Sequence, residues 1–313
     1  MNENIAAENN KAYEKIHYGK RFLPVIAKVD CLVAGGGTAG TAAAITAARG
    51  GLRTMIVERS IALGGMQTLG LVEPGMPTFA EHSDTPYVRE IKERLQKNGV
   101  DHNDKVTDAM WTNPEVLAAI YDEMAEEAQV QVLYHAALVD VVQTEDRITE
   151  VIVQTVQGLV AVHSAMFIDC TGDALLARLA GVETESGSAQ TGYNQPMSFR
   201  FEMGGIDFTK LAEYIASIHD DWCKSKLPHF EIAEARHRDI KYKLEEFFLK
   251  GVASGELQED DAEYFQAFTI PGKPGCMSMN CPELPRCFRA VDALSYSEGV
   301  RYGRAMIRRL CTY

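Results

Sequence analysis

The chain has 313 residues, 46% hydrophobic and 24% charged, which suits two folded domains with separate cores and excludes disorder on a large scale. A formal net charge of -13 argues against nucleic acid or an anionic membrane as the main partner, because both need a basic face. The seven cysteines are scattered, odd in number and never spaced C-x-x-C, so neither a disulfide framework nor a metal site is expected.

Residues 1–20 read as a polar leader with no apolar signal segment, and no apolar run reaches membrane-spanning length. A cytoplasmic setting is expected. Phe22 to Val25 leads into an apolar strand, Val29 to Ala34, which runs into Gly35-Gly36-Gly37-Thr38-Ala39-Gly40 and an alanine-rich helix. Gly50-Gly51 closes that helix, and a second strand, Leu52 to Val57, ends in Glu58. The pattern is G-x-G-x-x-G with an acid 23 positions after its first glycine, as in a βαβ dinucleotide site. Gly35 permits the tight turn, Gly37 lets the backbone approach a pyrophosphate, and Gly40 with Ala44 lets the helix lie close on the sheet. Glu58 can accept both ribose hydroxyls, and its charge disfavours a 2′-phosphate.

From Leu69 to Pro86, prolines and glycines break any regular pattern and predict a long functional loop containing His82. Tyr87 to Lys97 and Pro114 to Ala128 have helical spacing, the second with Asn113 as N-cap. Val130 to Tyr134, Ala137 to Gln143, Ile148 to Thr155 and Leu159 to Ala165 predict an antiparallel meander, followed by a buried strand, Met166 to Asp169. Gln195 to Met203 reads as strand, Phe208 to Lys250 as mostly helical, and Ser295 with Glu298 as a capping box before a final helix.

The Gly35 to Gly40 turn, Glu58-Arg59, Leu63-Gly64-Gly65-Met66, Thr171-Gly172-Asp173, Gln195-Pro196-Met197-Ser198 and Gly303-Arg304 together carry a resemblance. Over residues 20–313 the chain resembles the FAD-dependent oxidoreductase family of bacterial flavoproteins, in the glutathione-reductase structural class. The resemblance implies an α/β fold: a Rossmann-like FAD-binding domain, parallel sheet plus β-meander, with an inserted α+β substrate domain. It divides the chain into the leader 1–20, an FAD-binding domain 21–182, a substrate domain 183–290, and a truncated return helix 291–313 of the FAD-binding domain. FAD is the implied cofactor. Gly35, Gly37, Ala39 and Gly40 would hold its pyrophosphate, Glu58 and Arg59 its adenosine end, and Gly64, Gly65 and Met66 would run toward the flavin. Backbone near Ala137 would meet the adenine edge, while Gly172 and Asp173 would close over the ribityl and phosphate region.

Three features depart from the class. No redox cysteine pair follows the double glycine, where the chain reads Met66 to Val72, and no second glycine fingerprint for a nicotinamide donor follows. Relatives continue past the Gly303-Arg304 helix, so the chain is expected to be a fragment or to be completed by a partner chain or a second copy. Arg200 and Ser198 alternate on one strand, and Arg200 is either a bidentate partner for a substrate carboxylate or a surface arginine. Asn280 matches a family position near the active cavity and otherwise reads as a turn residue. Cys276, Cys281 and Cys287 match no iron–sulfur spacing and are expected as core or loop thiols. The expected function is hydride transfer between FAD and a small organic substrate. A flavin-binding electron-transfer or structural subunit is the first alternative, and a thiazole-synthase-like protein consuming NAD the second.

Overall fold

A computed structural model describes residues 22–75, 85–100, 110–217, 224–226, 229–235 and 245–313, so the leader, His82 and the centre of the long loop lie outside the described residues. Strand β1 (Val25–Ala34) is apolar on both sides over its last four residues, where both sides are covered: Cys31 and Val33 join one core cluster, Leu32 and Ala34 another. Helix α1 (Thr38–Arg49) returns the chain to β2 (Thr54–Val57), which pairs with β1 in parallel from Cys31↔Thr54 to Ala34↔Val57. A short β3 (Pro74–Gly75), helix α2 (Pro86–Lys97), β4 (Met110–Trp111) and helix α3 (Pro114–Glu127) follow. Thr85 caps α2, and Asn113 caps α3 by accepting from the amides of Glu115 and Val116. Next come β5 (Gln131–Leu133), β6 (Ala137–Thr144), β7 (Arg147–Thr155) and β8 (Gly158–Asp169).

These strands form one six-stranded sheet in the order β5-β2-β1-β8-β7-β6. The segment expected as the first strand of the meander, β5, instead pairs in parallel with β2 at the far side of the sheet. Alternation alone cannot tell the two placements apart. The strand expected separately at Met166 to Asp169 is the last third of β8, which leaves β7 and continues in parallel beside β1. Against one face pack Ile45 of α1, Ile91 and Leu95 of α2, and Leu117, Ile120 and Met124 of α3. Each such side chain contributes about 1.5–3 kcal/mol over its exposed state, giving the glycine turn a rigid seat.

Beyond a short helix α4 (Leu175–Leu179) lies a second, antiparallel sheet in the order β10-β11-β12-β13-β9. Its strands are β9 (Phe201–Met203), β10 (Lys224–Lys226), β11 (His229–Ala235), β12 (Tyr264–Thr269) and β13 (Met277–Met279). The expectation of helix over Phe208 to Lys250 therefore fails in its middle: α5 (Phe208–Ser217) and α6 (Glu245–Ser254) flank two strands. The segment of β11 alternates only at its start, from His229 to Ile232, so its period does not mark a strand. The strand expected from Gln195 is regular only over β9, preceded by a single bridge between Ser198 and Glu283. The loop expected from Leu69 to Pro86 carries β3, which pairs with β4.

Helix α7 (Ala293–Thr312) is capped by Asp292, which accepts from Ser295 N, so the expected Ser295/Glu298 box is not the cap. Its described contacts are with the second sheet region: Leu310 and Tyr313 join that core, and Arg309 pairs with the buried Asp261 at 2.6 Å. Among the described residues no helix is long and apolar enough to cross a membrane.

Candidate functional site

The first candidate site is the mouth of the sheet where β1 becomes α1. Gly35 has φ +93°, a conformation that favours glycine, and its N–H donates to Val57 O at 2.8 Å. The three fingerprint glycines meet different surroundings. A Cβ at Gly35 would lie 2.5 Å from Cys170 O, and one at Gly40 would lie 1.8 Å from Gly35 O, whereas one at Gly37 would meet nothing within 4 Å. Gly37 is also the N-cap of α1 and offers no side-chain acceptor to the first-turn amides. Open space, unshielded backbone and the positive end of a helix dipole thus coincide, and they fit a pyrophosphate. Ala39 lies on this first turn and is exposed.

The double glycine is built into the same mouth. Gly64 N donates to Gly36 O at 2.8 Å, Gly37 and Gly64 form a parallel bridge, and Thr38 Oγ1 donates to Gly64 O at 3.1 Å. Met66 follows with 66% of its surface exposed, an apolar side chain held at the rim. On the other flank, the chain leaving β8 packs on Gly35 through Cys170, and Asp169 shapes the next turn. Its carboxylate accepts from Thr171 N at 3.0 Å, Thr171 Oγ1 at 2.7 Å and Ala177 N at 2.9 Å. Burial works to raise the Asp169 pKa, but these hydrogen bonds outweigh it and hold the carboxyl below its ordinary value. Gly172 and Asp173 sit exposed on that turn.

Glu58 ends β2 and is buried. Its Oε2 accepts from Gly36 N at 2.6 Å, and its Oε1 from Ser60 N at 2.7 Å and Ser60 Oγ at 2.6 Å. A carboxylate has roughly four lone-pair sites, so about one is left, where the sequence suggested two free contacts to a sugar. Arg59 is exposed, and Ala137 follows Ala136, whose amide donates to Glu58 O at 2.9 Å. The acid therefore clamps the turn as well as facing the mouth. Thr38 and Asp169 lie inside segments the sequence marked but were given no role of their own, and nothing pointed to Ser60.

The second candidate site is the polar face of the second sheet. The pairs Phe268↔Ser278 and Ser278↔Glu202 place Phe268, Ser278 and Glu202 on one face, with Gln266, Asn280 and Arg200 two residues further along their chains. The other face, with Ala267, Met277 and Met279, is core. The polar face meets the loop at Leu71 and the start of α3. Ser278 Oγ donates to Leu71 O at 3.2 Å, Asn113 Nδ2 to Pro271 O at 2.9 Å, and Lys273 Nζ bridges Glu115 at 2.6 Å and Glu202 at 2.8 Å.

Arg200 is not a surface residue: its side chain is 8% exposed, with the guanidinium 5.6 Å from the centre of the Phe268 ring. Its charged neighbour is Glu73, whose side chain is 0% exposed, at 3.6 Å from Nη2. Burial pushes the Arg200 pKa down, against the pull of Glu73. Burial likewise pushes Glu73 up, opposed by Ser278, its own amide and Arg200 and assisted by Glu202. Asn280 is not a turn residue. Its Nδ2 donates to Tyr264 OH at 2.9 Å and Gln266 Oε1 at 2.6 Å, so its amide hydrogens are held within the sheet. Glu73 was not visible in the sequence, since an acid in a proline- and glycine-rich loop reads as solvated. Cys281 is fully buried, and among the described residues no group of histidine, cysteine and acidic side chains is arranged to hold a metal.

The family of FAD dependent oxidoreductases matches residues 30–313. No curated protein sequence matches the chain. Among solved structures, a geranylgeranyl bacteriochlorophyll reductase-like protein from Thermoplasma acidophilum is 12% identical, over 88% of this chain and 61% of its own, with a TM-score of 0.50. The flavin-dependent brominase Bmp2 is 12% identical over 80% of this chain and 55% of its own, with a TM-score of 0.47. THI4 from Thermovibrio ammonificans is 19% identical over 52% of this chain and 69% of its own, with a TM-score of 0.38. The likeness to the Thermoplasma protein is one of fold. The chain spans less than two thirds of the length of that protein and of the brominase.

Proposed function

The chain belongs to the FAD dependent oxidoreductase family, and we propose that it moves a hydride between that cofactor and a small organic molecule held against the polar face of the second sheet. FAD, when bound, supplies the two-electron chemistry. The chain's own residues bind, orient and desolvate. The first-turn amides at Gly37, Thr38, Ala39 and Gly40 would hold the pyrophosphate, and Glu58 would offer its remaining lone pair to the adenosine ribose. Arg59 and the backbone at Ala137 would flank the adenosine, while Gly172 and Asp173 would border the linking chain. The loop from Gly64 through Met66 to Glu73 runs from the phosphate mouth to the second sheet, and Thr112 pins its end by donating to Glu73 O through both N, at 3.0 Å, and Oγ1, at 2.9 Å. Substrate held there would be shielded from water by both domains, with Arg200 in contact and Asn280 holding Tyr264 and Gln266 in place.

The observation that carries this reading is the open face at Gly37, between a bare helix N-terminus and a buried Glu58 that holds the neighbouring Gly36 N. The test is to purify the full chain, record its flavin absorbance, and titrate candidate reductants anaerobically. Bleaching of a bound flavin band by a small organic substrate supports the proposal, and a folded chain that never retains FAD refutes it. Glu58→Ala removes charged hydrogen bonds of about 1.5–3 kcal/mol each. It should lower both FAD retention and the stability of the apoprotein, because Gly36 N loses its acceptor.

A further inference from the structure

We propose that Arg200 and Glu73 form an anchoring subsite for the carboxylate of a small organic acid, and that each acid anion is taken up together with one proton held on Glu73. The inference rests on the substrate position given above and names the class of molecule held there. It starts from four atoms buried without a well-formed hydrogen bond: Arg200 Nε and Nη2, and both carboxylate oxygens of Glu73, which Ser278 and the Glu73 amide approach closely enough to oppose the effect of burial but not to bond. Nη2 and the nearer Glu73 oxygen stand 3.6 Å apart, beyond hydrogen-bonding length. Buried polar groups are nearly always partnered, and a buried ion pair is tolerable only when its remaining donors and acceptors are satisfied.

The two orphaned nitrogens identify the missing ligand. Nε and Nη2 form one edge of the guanidinium, with parallel N–H bonds spaced to match the two oxygens of a carboxylate. Phe268 lies against the guanidinium and Trp111 meets Phe268 edge-on at 5.4 Å, so an apolar wall limits the rotation of that edge. A carboxylate set in the fork satisfies both nitrogens, and a protonated Glu73 can donate its O–H to the same anion, which satisfies Glu73 in turn.

The proton follows from charge balance. Glu73 faces Arg200, Glu202 and Ser278, and Arg200 faces Glu73, Tyr264 and Cys281. Glu202 is already matched by Lys273, Ser278 directs its hydroxyl to Leu71, Tyr264 donates to Gln266, and burial pushes the Cys281 thiol up to about 12, so it stays neutral. One guanidinium then serves two carboxylates when an acid binds, and a buried site cannot keep the second negative charge. The proton comes from solvent and rests on a Glu73 oxygen.

The test is calorimetric titration of the FAD-loaded chain with propionate, butyrate and benzoate, each against its amide, in phosphate and in Tris from pH 6 to 9. The expected result is binding of the acids and not the amides, with proton uptake rising toward one per anion and affinity falling about tenfold per pH unit at the alkaline end. Arg200→Lys should weaken binding at least tenfold, and Glu73→Gln should retain binding but abolish the proton uptake. Binding without proton uptake across the range, undiminished binding to Arg200→Lys, or no binding of any of the acids would each overturn the proposal. The heat signal reads the subsite whether or not FAD stays bound. Loss of flavin would therefore count against the cofactor assignment alone, and absent acid binding with flavin retained against the subsite alone.

Discussion

Glu58 and Glu73 are both buried carboxylates bordering the same loop, and the protein treats them in opposite ways. Glu58 has three donors within 2.7 Å, whereas the more deeply buried Glu73 has an arginine at 3.6 Å and no hydrogen bond to either oxygen. The first is held by Gly36 N and by the amide and hydroxyl of Ser60, so the glycine turn is braced before any ligand arrives. The second depends on a cation from another sheet, and its unmet bonds leave work for a ligand. A site that closes on itself binds by shape, and one left incomplete binds by completing it.

The sharpest break in this comparison comes from Gly40. A Cβ there would lie 1.8 Å from Gly35 O, a backbone atom that cannot give way without moving the turn. Gly40→Val should cost above ~4 kcal/mol, read as loss of soluble folded protein. Next in size is Arg200→Met, which leaves Glu73 buried without its counter-charge. Its expected cost is ~3–5 kcal/mol at pH 8 and less at pH 5, measured by urea unfolding, with Glu73→Gln added to Arg200→Met restoring part of the loss. Equal losses at both pH values would mean that Glu73 does not carry the penalty.

The sign of that pH dependence is fixed by the direction of the Glu73 shift. Burial raises its pKa above the ordinary 4.5, so the folded protein binds a proton more tightly than the unfolded chain. The resulting stabilisation is full below the unfolded value and is lost as pH rises through the folded one. Glu73→Gln lacks this loss, so its stability should gain on that of the parent protein from about pH 4.5 upward and level off once pH passes the raised folded value. Carboxylates held low, such as Asp169, slope the other way but cancel in the difference.

Gly37→Ala sharpens the cofactor side of the comparison. Nothing lies within 4 Å of the added methyl, so the apoprotein should keep its melting temperature while FAD affinity falls by ~1–3 kcal/mol, about 5- to 150-fold. A parallel loss of stability would show that the face is filled by protein. The smallest effect is expected at Lys273, which joins Glu115 to Glu202 from a partly exposed position. Lys273→Met should cost roughly 1 kcal/mol or less, with most of that gone in high salt.

Much of the first domain was legible because its signals are local. The strand, glycine turn, small-residue helix and terminal acid occupy one continuous stretch, and the caps at Asn113 and Pro114 are fixed by neighbouring residues. The same locality explains the errors. The segment at Gln131 to Leu133 has the alternation of a meander strand, but which edge of the sheet it joins is decided by the length and packing of α3. The strand at His229 to Ala235 alternates over too few residues for its period to stand out, and only pairing with β12 settles it.

By itself the sequence determined the strand, glycine turn and helix ending at Glu58, since glycine's conformational freedom and a strand-ending carboxylate act over a few residues whatever surrounds them. Only the tertiary structure decided that Arg200 is buried, that it meets Glu73 and that Asn280 serves the sheet. Each of those facts depends on long-range desolvation and on strand register, which bring together residues far apart in the chain.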